Sequence, residues 1–169
     1  MIKILGTVLI LLGAGGFGIA KSMLFYRQYH QLQEFLGAIE ILQCELNYTL
    51  SPLPALCRRT AQRTKSACSS FFLNFAQKLE REGSREKAAA EAMEDTKGLM
   101  LPSDAKLAVM ELLSALGRYD VDGENRILKL TGQRLRAALE RLENEKKPLA
   151  RSYAVLGFVT GIALVILLI

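Results

Sequence analysis

The chain has 169 residues, 50% of them hydrophobic and 23% charged, with a net charge of +5. Its mean hydropathy of +0.18 is high for a water-soluble protein, and the composition excludes a disordered tail or a disulfide-stapled scaffold. Three cysteines, one histidine and no C-x-x-C give no zinc ligand set, so Cys44, Cys57 and Cys68 are expected to be buried small hydrophobes in a reducing compartment.

Ile4 to Ala20 is a run of seventeen residues without a charge, closed by Lys3 and Lys21. As a helix it spans ~25 Å at ~1.5 Å per residue, slightly less than a ~30 Å hydrocarbon core. Nothing between Lys21 and Leu32 breaks a helix, so this stem is expected to run on into the next segment. There Leu32, Phe35, Leu36, Ile39, Leu42 and Leu46 recur at helical spacing. Pro52 ends that helix, and Pro54 is expected to open a short second helix reaching about Thr64.

A third helix is predicted from Cys68 to Glu82, with Phe72, Phe75, Ala76 and Leu79 inward. Gly83 is its stop and Ser84 the N-cap of a fourth, Arg85 to Lys97, rich in alanine and thin enough for close packing. Ser103 is predicted to cap a fifth, with Leu107, Met110, Leu113 and Leu116 inward and Gly117 ending it. Asp120 or Asp122 starts a sixth, whose inward stripe is Leu128, Thr131, Leu135, Ala138 and Leu142. Pro148 is expected to kink or break it. Beyond lies Tyr153 to Ile169, again seventeen residues without a charge.

Every acidic residue, and every basic residue except Lys3, lies between the two apolar ends. The predicted fold is therefore all-α: a six-helix bundle between N- and C-terminal transmembrane helices. The boundaries are 1–21 for the first transmembrane helix, 22–152 for the bundle and 153–169 for the second. Two stems entering one bilayer require the first and last bundle helices to pack antiparallel. Lys21 and Arg27 follow the first stem, and Lys146, Lys147 and Arg151 precede the second. Basic residues this close to a membrane segment mark the cytosolic side. The rival reading is a secretory signal peptide ending at Gly18-Ile19-Ala20, although glycines interrupt the apolar region and Lys3 alone precedes it.

No nucleotide-binding, serine-hydrolase or zinc-protease motif occurs. With one histidine, acid–base chemistry falls to carboxylates, and Glu140, Glu143 and Glu145 lie beside basic residues as solvated surface pairs do. Asp120-Val121-Asp122-Gly123-Glu124 lacks the spaced oxygen ligands of a calcium loop and is read as a turn with capping acids. The chain is thus expected to be non-enzymatic, with no cofactor and no metal.

Arg58, Arg59, Arg63 and Lys65 are the densest basic run. They are either a solvated face, a docking patch for an acidic partner or an anionic-lipid contact; a nucleic-acid site needs more charge and interleaved aromatics. Small residues at spacing four, Ala14 with Gly18, Gly16 with Ala20 and Gly157 with Gly161, are candidates for close helix packing in lipid. They serve contact between the two stems or self-association equally well, which leaves oligomerisation open.

Leu42-Gln43-Cys44-Glu45-Leu46-Asn47-Tyr48 is followed by Ser51-Pro52-Leu53-Pro54-Ala55-Leu56, Leu101-Pro102-Ser103-Asp104, Leu116-Gly117-Arg118-Tyr119-Asp120, Leu156-Gly157 and Val165-Ile166-Leu167-Leu168. In this order and spacing the chain resembles the stage III sporulation protein AB family over essentially its whole length. The resemblance implies a subunit of the channel complex joining mother cell and forespore. It also implies a domain similar to the cytoplasmic domains of type II secretion F platform proteins. The implied partners are other channel-complex proteins, above all the cytosolic ATPase (AA) component, and the implied location is the mother-cell-facing (outer) forespore membrane. The expected function is a non-enzymatic membrane platform. The alternatives are a membrane-tethered adaptor unrelated to secretion and an enzyme with an unrecognised carboxylate site.

Overall fold

The computed structural model describes residues 2–48 and 51–168, with side chains described for 23–48, 51–81 and 83–144. Six helices follow one another: α1 (Ile2–Tyr48), α2 (Leu53–Arg63), α3 (Ser66–Glu82), α4 (Arg85–Asp95), α5 (Ser103–Ala115) and α6 (Val121–Leu168). No strand occurs among the described residues. The chain divides into two compact units, one of residues 1–29 with 140–169 and one of residues 30–139.

In the larger unit the core is aromatic. Phe35 of α1 meets Phe71 and Phe72 of α3 at centroid distances of 5.4 and 5.9 Å. All three rings are almost wholly buried, as are Phe75, Leu112, Leu113, Leu128 and Leu135. α2 packs on α3, α3 on α4 and α4 on α5. Ala88, Ala89 and Ala92 are fully buried, so α4 approaches its neighbours closely because it carries only methyl groups there. Lys78 of α3 reaches Glu91 and Asp95 of α4 at 2.8 and 2.7 Å. Within this unit α1 and α6 are antiparallel: Asn47 meets Asn125 at one end of the seam, and Glu40 meets Arg136 further along.

The helix limits follow local chemistry. Gly83 sits at φ +68° and donates to Leu79 O, while the Ser84 hydroxyl accepts from the Lys87 amide, as the sequence predicts. Asp120, of the two candidates, is the cap of α6: its Oδ1 accepts from Gly123 N at 3.1 Å. Pro52 stands at the cap of α2 and Pro54 in its first turn, as the sequence predicts. α3 begins earlier than predicted, at Ser66, and α4 ends earlier, at Asp95. There the buried Thr96 hydroxyl turns back to Ala92 O at 2.6 Å, satisfying a terminal carbonyl. Ser103 does not cap α5; Pro102 occupies that position, and Asp104 Oδ1 accepts from Ala105 N.

The predicted inward set of α5 is also corrected. Leu107 is 57% exposed and Met110 half-buried, while Ala105, Ala108, Val109 and Leu112 join Leu113 and Leu116 inside. Counting the large residues turned the face towards Leu107; the small Ala105 and Ala108 mark the contact side. The α6 stripe from Leu128 to Leu142 is buried at every predicted position. On α1, Leu36 and Leu46 are only half-buried, and Ala38 and Glu45 are buried in the same stretch.

In the smaller unit Phe25 is buried against Tyr26 and Tyr29, with centroids 5.4 and 6.1 Å away. α1 is one helix from Ile2 to Tyr48, continuous as expected. α6 runs unbroken through Pro148 to Leu168. A proline in a helix removes one hydrogen bond and crowds the carbonyl four residues back, costing ~3 kcal/mol, which the remaining ladder of a long helix absorbs. No helix among the described residues is long and apolar enough to cross a membrane. The side chains of 4–20 and 153–169, including the packing candidates Ala14, Gly16, Gly18, Ala20, Gly157 and Gly161, lie outside those described.

Candidate partner-binding surface

Glu45 lies on the core side of α1, only 7% exposed. A carboxylate taken out of water at that depth needs compensation. α2 supplies it: Arg59 Nη1 stands 3.1 Å from Glu45 Oε2, and Arg63 Nη2 stands 3.0 Å from Oε1. Positions 59 and 63 are one turn apart, so two guanidinium groups bracket one carboxylate. Arg58 points the other way and pairs with Glu80 of α3 at 2.5 Å, with both groups about half exposed.

Three of the four residues expected to form a docking patch are thus engaged inside the bundle, and two of them compensate a buried charge. The fourth, Lys65, lines a notch of about 240 Å³ with Glu34, Gly37, Ile41, Arg63 and Thr64. In it Glu34 Oε2 is buried and has no hydrogen-bond partner among the described residues. Burial raises the Glu34 carboxyl above its ordinary value, and the neighbouring His30 and Lys65 act against that rise.

The cysteines divide. Cys57 and Cys68 are buried, and burial pushes both thiols up to about 12. Neither is a nucleophile at neutral pH. Cys44 is exposed, contrary to expectation. It is next to the buried Glu45, whose pairing with α2 sets the inward face of this turn. No group of three His, Cys, Asp or Glu residues that could hold a metal occurs among the described residues. In the acidic turn before α6, Glu124 is buried and its Oε1 accepts from Gly117 N at 2.5 Å.

A second basic surface was not singled out from the sequence. Arg126 and Lys129 lie exposed on α6, beside the half-exposed Leu130. The signal was present: no acid occurs between Glu124 and Glu140, while Arg126, Lys129, Arg134 and Arg136 do.

Fold and surface together define an all-α bundle closed by its own first and last helices, with the buried Glu45 bracketed by two arginines. The chain belongs to the stage III sporulation protein AB family, whose defining pattern matches residues 3–169. It is 24% identical over 172 residues to the stage III sporulation protein AB of Bacillus subtilis (strain 168), covering 99% of both chains. A solved structure of stage III sporulation protein AB (SpoIIIAB) shares the fold with a TM-score of 0.63 at 20% identity, covering 71% of this chain and 96% of that one. The family places the protein in sporulation.

Proposed function

We propose that this protein is a non-enzymatic membrane platform subunit of the channel complex between mother cell and forespore. In this reading the uncharged segments 4–20 and 153–169 cross the outer forespore membrane and the bundle stands in the mother-cell cytosol. The bundle presents surfaces to the other channel proteins, and the cytosolic ATPase component supplies the energy.

One observation carries the reading. α1 and α6 each continue as a single helix from the antiparallel seam of the bundle into an uncharged terminal segment. Uncharged helical runs of about this length have a composition suited to lipid and little use in water. The interhelix ion pairs of the bundle add support, since a scaffold needs helices held firmly together.

Affinity purification of the full chain in detergent from sporulating cells tests it. Recovery of the channel proteins and their ATPase is expected. Recovery of a transcription or signalling protein in their place favours the tethered-adaptor reading and overturns this one.

A further inference from the structure

The basic run on α2 is matched within the bundle; the one on α6 is not. Arg134 and Arg136 reach across to Glu111 and Glu40, at 2.5 and 3.2 Å. Arg126 and Lys129 are exposed and have no acid or hydrogen-bond partner among the described residues. Leu130 is 49% exposed beside them. A groove of about 130 Å³ lies along the seam of α1 and α6, lined by Leu36, Ile39, Leu128, Lys129 and Gln133 and by Glu40, whose charge Arg136 neutralises. Gly132 keeps it open: a Cβ there would first meet Ile39 Cγ2, at 4.0 Å.

We propose that this seam docks an acidic amphipathic helix of a partner protein, with one large apolar side chain in the groove and carboxylates on Arg126 and Lys129. Positions 126, 129, 130 and 133 follow one another at helical spacing, so a second helix lying along α6 meets them turn by turn. The groove is well below the ~300–1,000 Å³ of small-molecule pockets and suits a single side chain. An anionic lipid surface matches the cations equally well but leaves the groove unfilled. Unpaired surface cations steer an acidic partner and fix its register, and the filled groove supplies the buried anchor. This docking does not depend on the channel reading, because it follows from charge and shape along the α1–α6 seam.

The test places a benzophenone amino acid at Leu130 of the full chain in sporulating cells and sequences the cross-linked segment. The expected product is a protein segment with acidic residues at helical spacing. Arg126→Glu with Lys129→Glu should lower its yield at least tenfold, and so should the charge-neutral Gly132→Met, while Gly132→Ala keeps it near wild type. Where Gly132→Met melts below wild type, Gln133→Trp narrows the mouth of the groove from its rim instead and should give the same loss. Adducts on lipid, adducts on a segment without acids, or no adduct overturn the proposal. So does a yield that falls with charge reversal but not with groove filling, which marks a purely electrostatic surface.

Discussion

Arg63 Nη2 lies 3.0 Å from Oε1 of Glu45, joining the end of α2 to a carboxylate buried on α1. With Arg59 on the other oxygen, the contact makes part of the basic run a fastening of the fold. Breaking a fully buried ion pair costs ~3–5 kcal/mol. The arginines are 44% and 58% exposed, and solvent screening reduces the figure to about 1–2 kcal/mol. Arg59→Glu with Arg63→Glu should therefore lower the melting temperature of the full chain in detergent clearly. Arg58→Glu, at an exposed pair, should change stability by no more than ~1 kcal/mol. Equal effects would mean that Glu45 is not the partner that matters.

Leu135 and Phe35 are fully buried, whereas Leu107 is exposed. Truncating a buried leucine to alanine costs ~2–5 kcal/mol and a buried phenylalanine ~3–5. Leu135→Ala and Phe35→Ala should each destabilise by that order, and Leu107→Ala by within ~0.5 kcal/mol. Denaturant midpoints check this, and a large loss at Leu107 would restore the face read from the sequence.

Gly37 and Gly132 are helical glycines with room for a methyl group, since a Cβ at Gly37 meets nothing within 4 Å and one at Gly132 meets Ile39 at 4.0 Å. Glycine inside a helix is less favourable than alanine by roughly 0.5–1 kcal/mol. Gly37→Ala and Gly132→Ala should each raise stability by about that amount in thermal melts. A loss at Gly132 would show that the α1–α6 seam has no room for a methyl group beside Ile39.

Glu34 supplies the pH dependence. Its folded-state pKa is raised above 4.5 because burial disfavours the carboxylate. In the window between 4.5 and that raised value the folded state holds more protons than the unfolded state, so stability falls as pH rises through it. The penalty is complete above the raised value and absent below 4.5. Glu34→Gln should stabilise the protein at neutral pH, with the gain vanishing as the pH is lowered through the window. A gain independent of pH would assign the effect to packing.

Sequence periodicity was sufficient where the apolar residues are large. The α6 stripe and the Phe72–Phe75 face of α3 were legible because the sequence reserves those turns for bulky side chains. It was insufficient where small residues make the contact, as Ala105 and Ala108 do on α5. Phe71 lies off the helical spacing of Phe72, Phe75 and Leu79, although Phe71 and Phe72 both pack on Phe35. The basic run on α2 was visible, but its pairing was not, because Glu45 and Glu80 are supplied by other helices. The unmatched run on α6 was legible only as an absence of acids, and which of its cations find partners depends on Glu40 and Glu111 across the seams.

The proposed function puts the bundle in the cytosol with both terminal segments in the membrane, and Cys44 tests that placement directly. It is the exposed cysteine, whereas Cys57 and Cys68 are buried with thiols pushed up to about 12. A membrane-impermeant maleimide applied to protoplasts of sporulating cells should leave the folded protein unlabelled. After permeabilisation it should label Cys44 alone, with Cys44→Ser as the control. Labelling of Cys44 in intact protoplasts would place the bundle outside the cytosol and contradict the account.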